Sequence, residues 1–187
     1  FNAFKPGSMM DERSRSIADP DRRVGDRIVA LKKEDQGFLN ILSLSQNGKE
    51  VYWADEGTIA KVTLIDAIAP GDSAVFEMQF NGQVPVQIRR SGRNNIEGID
   101  YTMTQWYPKL AEYDEYGWHP DQYIGREYYG VWGSFDVKIS MDKKYTIGGT
   151  GILQNPDEIG KGYSNKKVKK HKTKKIQWHF KAQNVHD

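Results

Sequence analysis

Residues 73–80 read Ser73-Ala74-Val75-Phe76-Glu77-Met78-Gln79-Phe80. In an extended chain Ala74, Phe76, Met78 and Phe80 fall on one side and Val75, Glu77 and Gln79 on the other, the pattern of a strand half-buried on a sheet. The same period of two returns where Phe135, Val137 and Ile139 alternate with Asp136, Lys138 and Ser140, and again at Ile176, Trp178 and Phe180. Upstream, the apolar stretch 38–44 meets Asn47-Gly48, the two positive-φ residues of a tight hairpin, and returns over 50–53. Further strands are expected over 58–65 and 99–105, and a Gly-interrupted one over 145–153. Pro70-Gly71 closes a loop, 91–95 forms another, and Pro85 confines 84–89 to an edge or irregular strand because proline has no N–H to donate. Helical periodicity is nearly absent and no internal repeat is visible. The fold class is therefore mainly β, an antiparallel β-sandwich.

The chain has 187 residues, the size of one ordinary domain. Residues 1–26 carry Pro6, Gly7, Asp19-Pro20 and alternating charges and read as an irregular surface segment, leaving 27–187 as a single non-catalytic sandwich domain. The apolar fraction is only 37%, but 10 Tyr, 5 Trp and 7 Phe supply the large side chains that make a core. Half of those rings lie between Tyr101 and Phe135, in a long Gly-containing connection with a short helix expected near 120–128. There is no cysteine, hence no disulfide and no thiolate ligand. No apolar run approaches the roughly 18 residues of a membrane-spanning helix, so no membrane span is expected. The chain opens on Phe1-Asn2-Ala3-Phe4 without an initiator Met, which reads as a cut from something longer.

Catalytic chemistry finds little support in the residues. A zinc site typically needs a His pair four apart on a helix with Glu between, and His119, His171, His179 and His186 offer no such spacing. Neither a metal site nor a catalytic residue is expected in this chain. His179, between Trp178 and Phe180, should point to the wetter face of its strand. Glu112, Asp114, Glu115, Asp121 and Glu127 lack calcium-loop spacing and read as carboxylates solvating a loop. Net charge is +2, yet residues 166–175 hold seven Lys and no acid. With no interleaved aromatic for base stacking, that run reads as a solvated loop, not as a nucleic-acid interface. The crowded aromatics open a different alternative, a carbohydrate-binding β-sandwich module using exposed rings.

The same aromatic region carries a family resemblance. Met103-Thr104-Gln105-Trp106-Tyr107-Pro108-Lys109, Tyr113-Asp114, Gly117-Trp118-His119, Tyr123-Ile124-Gly125-Arg126-Glu127-Tyr128-Tyr129 and Gly133-Ser134-Phe135-Asp136-Val137 resemble the N-terminal domain of bacterial zinc metallopeptidases of the aminopeptidase N family. Gly149-Thr150-Gly151-Ile152-Leu153-Gln154-Asn155-Pro156 and the closing Ala182-Gln183-Asn184-Val185-His186-Asp187 are similar to later parts of that domain. The resemblance implies a saddle-like sandwich whose first strands precede Phe1. It implies too that the catalytic zinc, with its His-Glu-x-x-His motif and the Gly-x-Met-Glu-Asn exopeptidase motif, belongs to the following domain, absent from this chain. The implied role here is one wall of the peptide-binding groove. Gln105 is implied as a substrate contact, and Tyr107 occupies the position where many aminopeptidases hold the Gln or Glu that receives the substrate's free amino group. The implied partners are the catalytic domain of the same polypeptide and a peptide substrate, in a parent exported to the periplasm, cell envelope or medium.

Overall fold

A computed structural model describes residues 1–125, 129–168 and 171–186. The chain is mainly β, with 34% of residues in strand against 9% in helix, and its named strand pairs are all antiparallel, consistent with a sandwich-like class. None of the sheets formed by the described residues closes into a barrel. Two compact units divide it, Phe1–Tyr128 and Tyr129–Asp187, with the division inside the span read from sequence as one domain.

The first unit begins with a 3-10 turn, Asn2–Phe4, and the helix α1, Met9–Ser14. Ser8 caps α1 by accepting the Asp11 N–H, and Asp11 accepts in return from the Gly7 N–H at 2.8 Å. This segment is not the irregular surface stretch expected. Ala3, Phe4, Met10, Val24 and Ile28 are buried together with Ile88 as the core of the unit, with Leu31 and Tyr123 packed against it. The apolar residues are too irregularly spaced for a periodicity reading, because a short helix and successive turns, not one long element, bring them to the same side.

Strand β1, Phe38–Gln46, turns through Asn47 and Gly48 at φ 50° and 79° into β2, Lys49–Glu50, as the hairpin reading requires. Strands β3, Tyr52–Glu56, and β4, Ile59–Thr63, form a second hairpin. Strand β5, Phe76–Gln83, runs antiparallel to β1 and completes a sheet in the order β2-β1-β5, with a bulge between Ile41 and Ser43. The side-chain amide of Asn2 pairs with both backbone groups of Leu39, at 2.8 and 3.2 Å, tying the amino-terminal turn to β1. Two short pairs follow in this unit. Strands β6, Gly92–Arg93, and β7, Tyr101–Thr102, pair with each other, as do β8, Tyr113–Asp114, and β9, Gly117–Trp118. Pro85 permits only an isolated bridge between Val86 and Arg93. The strand expected over 99–105 shrinks to β7, which pairs with the two-residue β6, and beyond it Gln105 leaves the extended region at φ 48°. Residues 120–125 form no helix, and the rest of the helix expected near 120–128 lies outside the described residues.

A buried carboxylate joins distant parts of this unit. Asp21, 4% exposed at its side chain, accepts from the Arg23 backbone N–H and guanidinium at 3.0 to 3.1 Å. Its Oδ2 also lies 3.9 Å from Arg13 and 3.8 Å from Arg89, both nearly buried. The Arg23 hydrogen bonds, helped by the charges of Arg23 and Arg89, lower its pKa from 3.8 to about 2 against the cost of burial. Arg13 and Arg89 in turn donate to the carbonyls of Ile124 and Gly125.

In the second unit β10, Gly133–Asp142, and β11, Ile152–Leu153, flank β12, Lys175–Val185. The alternation along β12 is realised in full: Ile176, Trp178 and Phe180 are 5%, 0% and 3% exposed. They pack with Leu153 and with Ile159 of the short helix α2, Pro156–Ile159. Tyr163 meets Trp178 edge-on at 5.8 Å and donates its hydroxyl to the Ile147 carbonyl at 2.9 Å. The strand expected over 145–153 is reduced to β11. Gly151 turns at φ 96° and lies so close to β12 that an added Cβ would sit 2.8 Å from the Lys181 carbonyl carbon. No helix among the described residues is long and apolar enough to cross a membrane.

Two outcomes test these cores. Asp21→Asn leaves Arg13 and Arg89 without their carboxylate and should cost about 3 kcal/mol at neutral pH, read by urea unfolding. Because the folded pKa of Asp21 is depressed, its contribution is complete above the ordinary value of 3.8 and is lost as pH falls toward about 2, so the variant should show a shallower loss across that window. In the second unit, Trp178→Ala should cost about 3–5 kcal/mol. Trp178→Phe should cost less than about 1.5 kcal/mol, since it keeps most of the ring and removes an indole N–H that is buried without a hydrogen-bond partner.

Candidate functional site

Ser91 is 7% exposed and precedes β6. Its hydroxyl accepts from the Thr104 N–H at 3.0 Å, donates to the Thr104 carbonyl at 2.9 Å, and lies 2.9 Å from the Thr104 hydroxyl. With its single proton on the carbonyl, Ser91 Oγ accepts from both the backbone N–H and the hydroxyl of Thr104, so one donor and two lone pairs are all used on one residue. Thr104 is thereby held at both of its backbone polar groups, one in each of the two peptide planes that meet at its Cα.

The segment bearing Ser91 is itself anchored. Arg27 donates to the carbonyls of Ile88 at 2.6 Å and Gln87 at 2.9 Å, and Arg89 reaches Asp21. Arg93 donates to the carbonyls of Val84 and Glu34 and to the Asp35 carboxylate at 3.0 Å. Fixed donors on the preceding segments therefore set the position of Ser91, and Ser91 sets Thr104.

The next residue, Gln105, adopts φ 48°, a left-handed conformation that costs a side-chain-bearing residue roughly 1 kcal/mol or more. Gln105 and Tyr107 are both half-buried. The Tyr107 ring stands edge-on to Trp106, centroids 5.9 Å apart at 84°. The two residues singled out from sequence thus sit immediately beyond a pinned threonine, in a turn with a defined backbone. Sequence reasoning missed Ser91, because a serine thirteen positions from its partner leaves no local signature.

Further along, β8 and β9 carry Tyr113 and Trp118 edge-to-face at 5.0 Å, with Tyr116 at the turn 84% exposed. Asp114 accepts the Tyr116 N–H at 2.8 Å, and its Oδ1 lies 2.9 Å from His119 Nε2. The hydrogen bond to Asp114 raises the His119 pKa above 6.5, with the surrounding carboxylates Asp121 and Glu112 adding to it. Asp114 is therefore committed to its own turn and to His119, and Glu112 accepts the Tyr113 N–H. Arg126, Glu127 and Tyr128 lie outside the described residues.

In the second unit His179 does lie across the strand from Trp178, with its Nε2 2.7 Å from Asp136, which also pairs with Lys181 at 3.0 Å. Hydrogen bonds from Lys181 and His179 lower the Asp136 pKa. In the basic stretch Lys166 pairs with Asp157, which accepts also from Ser164 at 2.7 Å, while Lys169 and Lys170 lie outside the described residues. No group of three or more His, Asp or Glu side chains placed to hold a metal ion occurs among the described residues. Comparison with protein-family models, curated proteins and solved structures finds no match to this chain.

Ser91→Ala should leave the Thr104 N–H and carbonyl without their partner. Hydrogen exchange at the Thr104 amide is then expected to accelerate by roughly 10-fold or more, the equivalent of one lost hydrogen bond. Exchange at wild-type rate would mean that other contacts hold the turn.

Proposed function

We propose that this chain is part of the non-catalytic N-terminal domain of a zinc-dependent, aminopeptidase-like metallopeptidase, and that its 104–107 segment lines one wall of the peptide-binding groove. The observation that carries the reading is the residue pattern from Met103 to Val137, joined to the rigid backbone at Thr104. A groove wall orients substrate only if its loop is held before the substrate arrives, and a saturated buried hydroxyl does that here.

On this reading Gln105 contributes an amide that can both donate to and accept from a peptide backbone. Tyr107 offers a phenol where a carboxylate would receive a free amino group. A phenol is the weaker partner for an ammonium, so this segment alone does not impose strict aminopeptidase specificity. The zinc and the groups acting with it belong, on this reading, to the catalytic domain of the same polypeptide. The parent enzyme is read as exported.

A carbohydrate-binding module is the second reading, favoured by the β8–β9 hairpin, where Tyr113, Tyr116 and Trp118 are 61%, 84% and 56% exposed. The parent polypeptide, extended beyond Asp187, separates the two. It is expected to bind one equivalent of zinc and cleave dipeptide substrates, and Gln105→Ala in that background should raise KM roughly 3- to 10-fold with kcat little changed. An extended polypeptide that binds no zinc and hydrolyses no peptide overturns the peptidase reading, and glycan-array binding lost on Trp118→Ala would support the second.

A further inference from the structure

Strand β5 ends its sheet, so one edge of Phe76–Gln83 has no strand beside it among the described residues. The direction of that edge follows from Val75. Its carbonyl accepts from the Asn47 N–H at 2.7 Å, and its N–H donates to Asn47 Oδ1 at 2.9 Å, both toward β1. Backbone groups alternate along a strand, so those of Phe76 and Met78 point outward, and those of Phe80 as well because the bulge lies in β1.

The side chains on this strand are equally unprotected. Phe76, Met78 and Phe80 share one face of the sheet with their cross-strand partners Gln46, Leu44 and Ile41 of β1, and Phe76 and Phe80 remain 42% and 36% exposed. Natural edge strands are commonly guarded by charge, Pro or bulges of their own. The other long edge strand, β10, carries Asp136, Lys138 and Asp142, whereas the only charge on β5 is Glu77.

What covers this edge is indicated by its own sequence. Phe76-Glu77-Met78-Gln79-Phe80 reads nearly the same in both directions about Met78. A two-fold axis through Met78 sets a second copy antiparallel, with Met78 opposite Met78 and each Phe76 opposite a Phe80. The outward backbone groups of these residues then exchange hydrogen bonds. On the other face each Glu77 meets a Gln79, a carboxylate facing an amide donor. Moving the axis to Glu77 sets two carboxylates against each other, and moving it to Gln79 leaves Phe76 opposite Gly82, which has no side chain to pack. Chemistry and register agree on one arrangement.

We infer that the chain associates with a second copy of itself by antiparallel β5–β5 pairing centred on Met78, which joins two three-stranded sheets into one continuous sheet.

Sedimentation equilibrium of the full chain tests this. The expected result is a monomer–dimer equilibrium, with amide exchange at Phe76, Met78 and Phe80 slowing as concentration rises. Gln79→Lys places an ammonium opposite Glu77 twice per dimer and should tighten dimerisation roughly 2- to 30-fold. Glu77→Lys combined with Gln79→Lys places like charges opposite each other twice and should weaken it by a similar factor. Both positions are exposed, so circular dichroism should be unchanged in either variant. A chain that stays monomeric at every concentration overturns the inference, as does a dimer indifferent to both variants or an open series of larger species. Protection of the β5 amides only on adding an extended peptide would also overturn it, by assigning the edge to a different occupant.

Discussion

The first unit depends on how a carboxylate can be buried. Taking Asp21 out of water costs several kcal/mol, and only close opposite charge and hydrogen bonds offset that. Arg23 supplies the hydrogen bonds, while Arg13 and Arg89 supply charge from segments far apart in sequence. Since both of those guanidiniums also donate to the carbonyls of Ile124 and Gly125, the requirement of one acid fixes four stretches of chain at once. Arg27 and Arg93 extend the same device, using fixed cationic donors to satisfy backbone carbonyls that no strand pairs. A unit with small sheets and much irregular backbone has many such carbonyls to satisfy.

The second unit is built differently. Trp178 and Phe180 lie with their rings parallel, centroids 6.3 Å apart, and Tyr163 closes over them edge-on. Here the strand period supplies the centre of the core, with Leu153 and Ile159 packed against it, and on the opposite face Asp136 meets His179 and Lys181. That surface pairing also gives the sheet a charged exterior. Strand β5 in the first unit has a single charge, and it combines exposed phenylalanines with an edge that no strand covers among the described residues.

The functional reading rests on a different scale of interaction. A single serine hydroxyl, fully used on Thr104, fixes the turn that bears Gln105 and Tyr107. Such a turn is rigid at little cost in burial, and a positive-φ glutamine held in this way is preorganised in backbone. The exposed rings of the β8–β9 hairpin, by contrast, are supported by one another and by an Asp114–His119 contact whose strength varies with pH. The two candidate surfaces therefore differ in how firmly they are held.

Features governed by neighbouring residues were legible in the sequence. Asn47-Gly48 specifies a hairpin because both residues tolerate positive φ, and Ile176, Trp178 and Phe180 share a face because side chains alternate along any strand. The mainly-β class followed from such periods. The burial of Met10, Val24 and Ile28 did not, although Ser8 and Asp11 stand at the spacing of a helix cap. Nor did the loss of the strand over 145–153, where a turn at Gly151 competes with local alternation. Sequence by itself determined which stretches alternate and where the chain can reverse, since those properties reside in consecutive residues. Only the tertiary structure decided that Asp21 meets Arg89, that Ser91 meets Thr104 and that β5 is left at an edge, because each depends on which distant segments come within a few ångströms of one another.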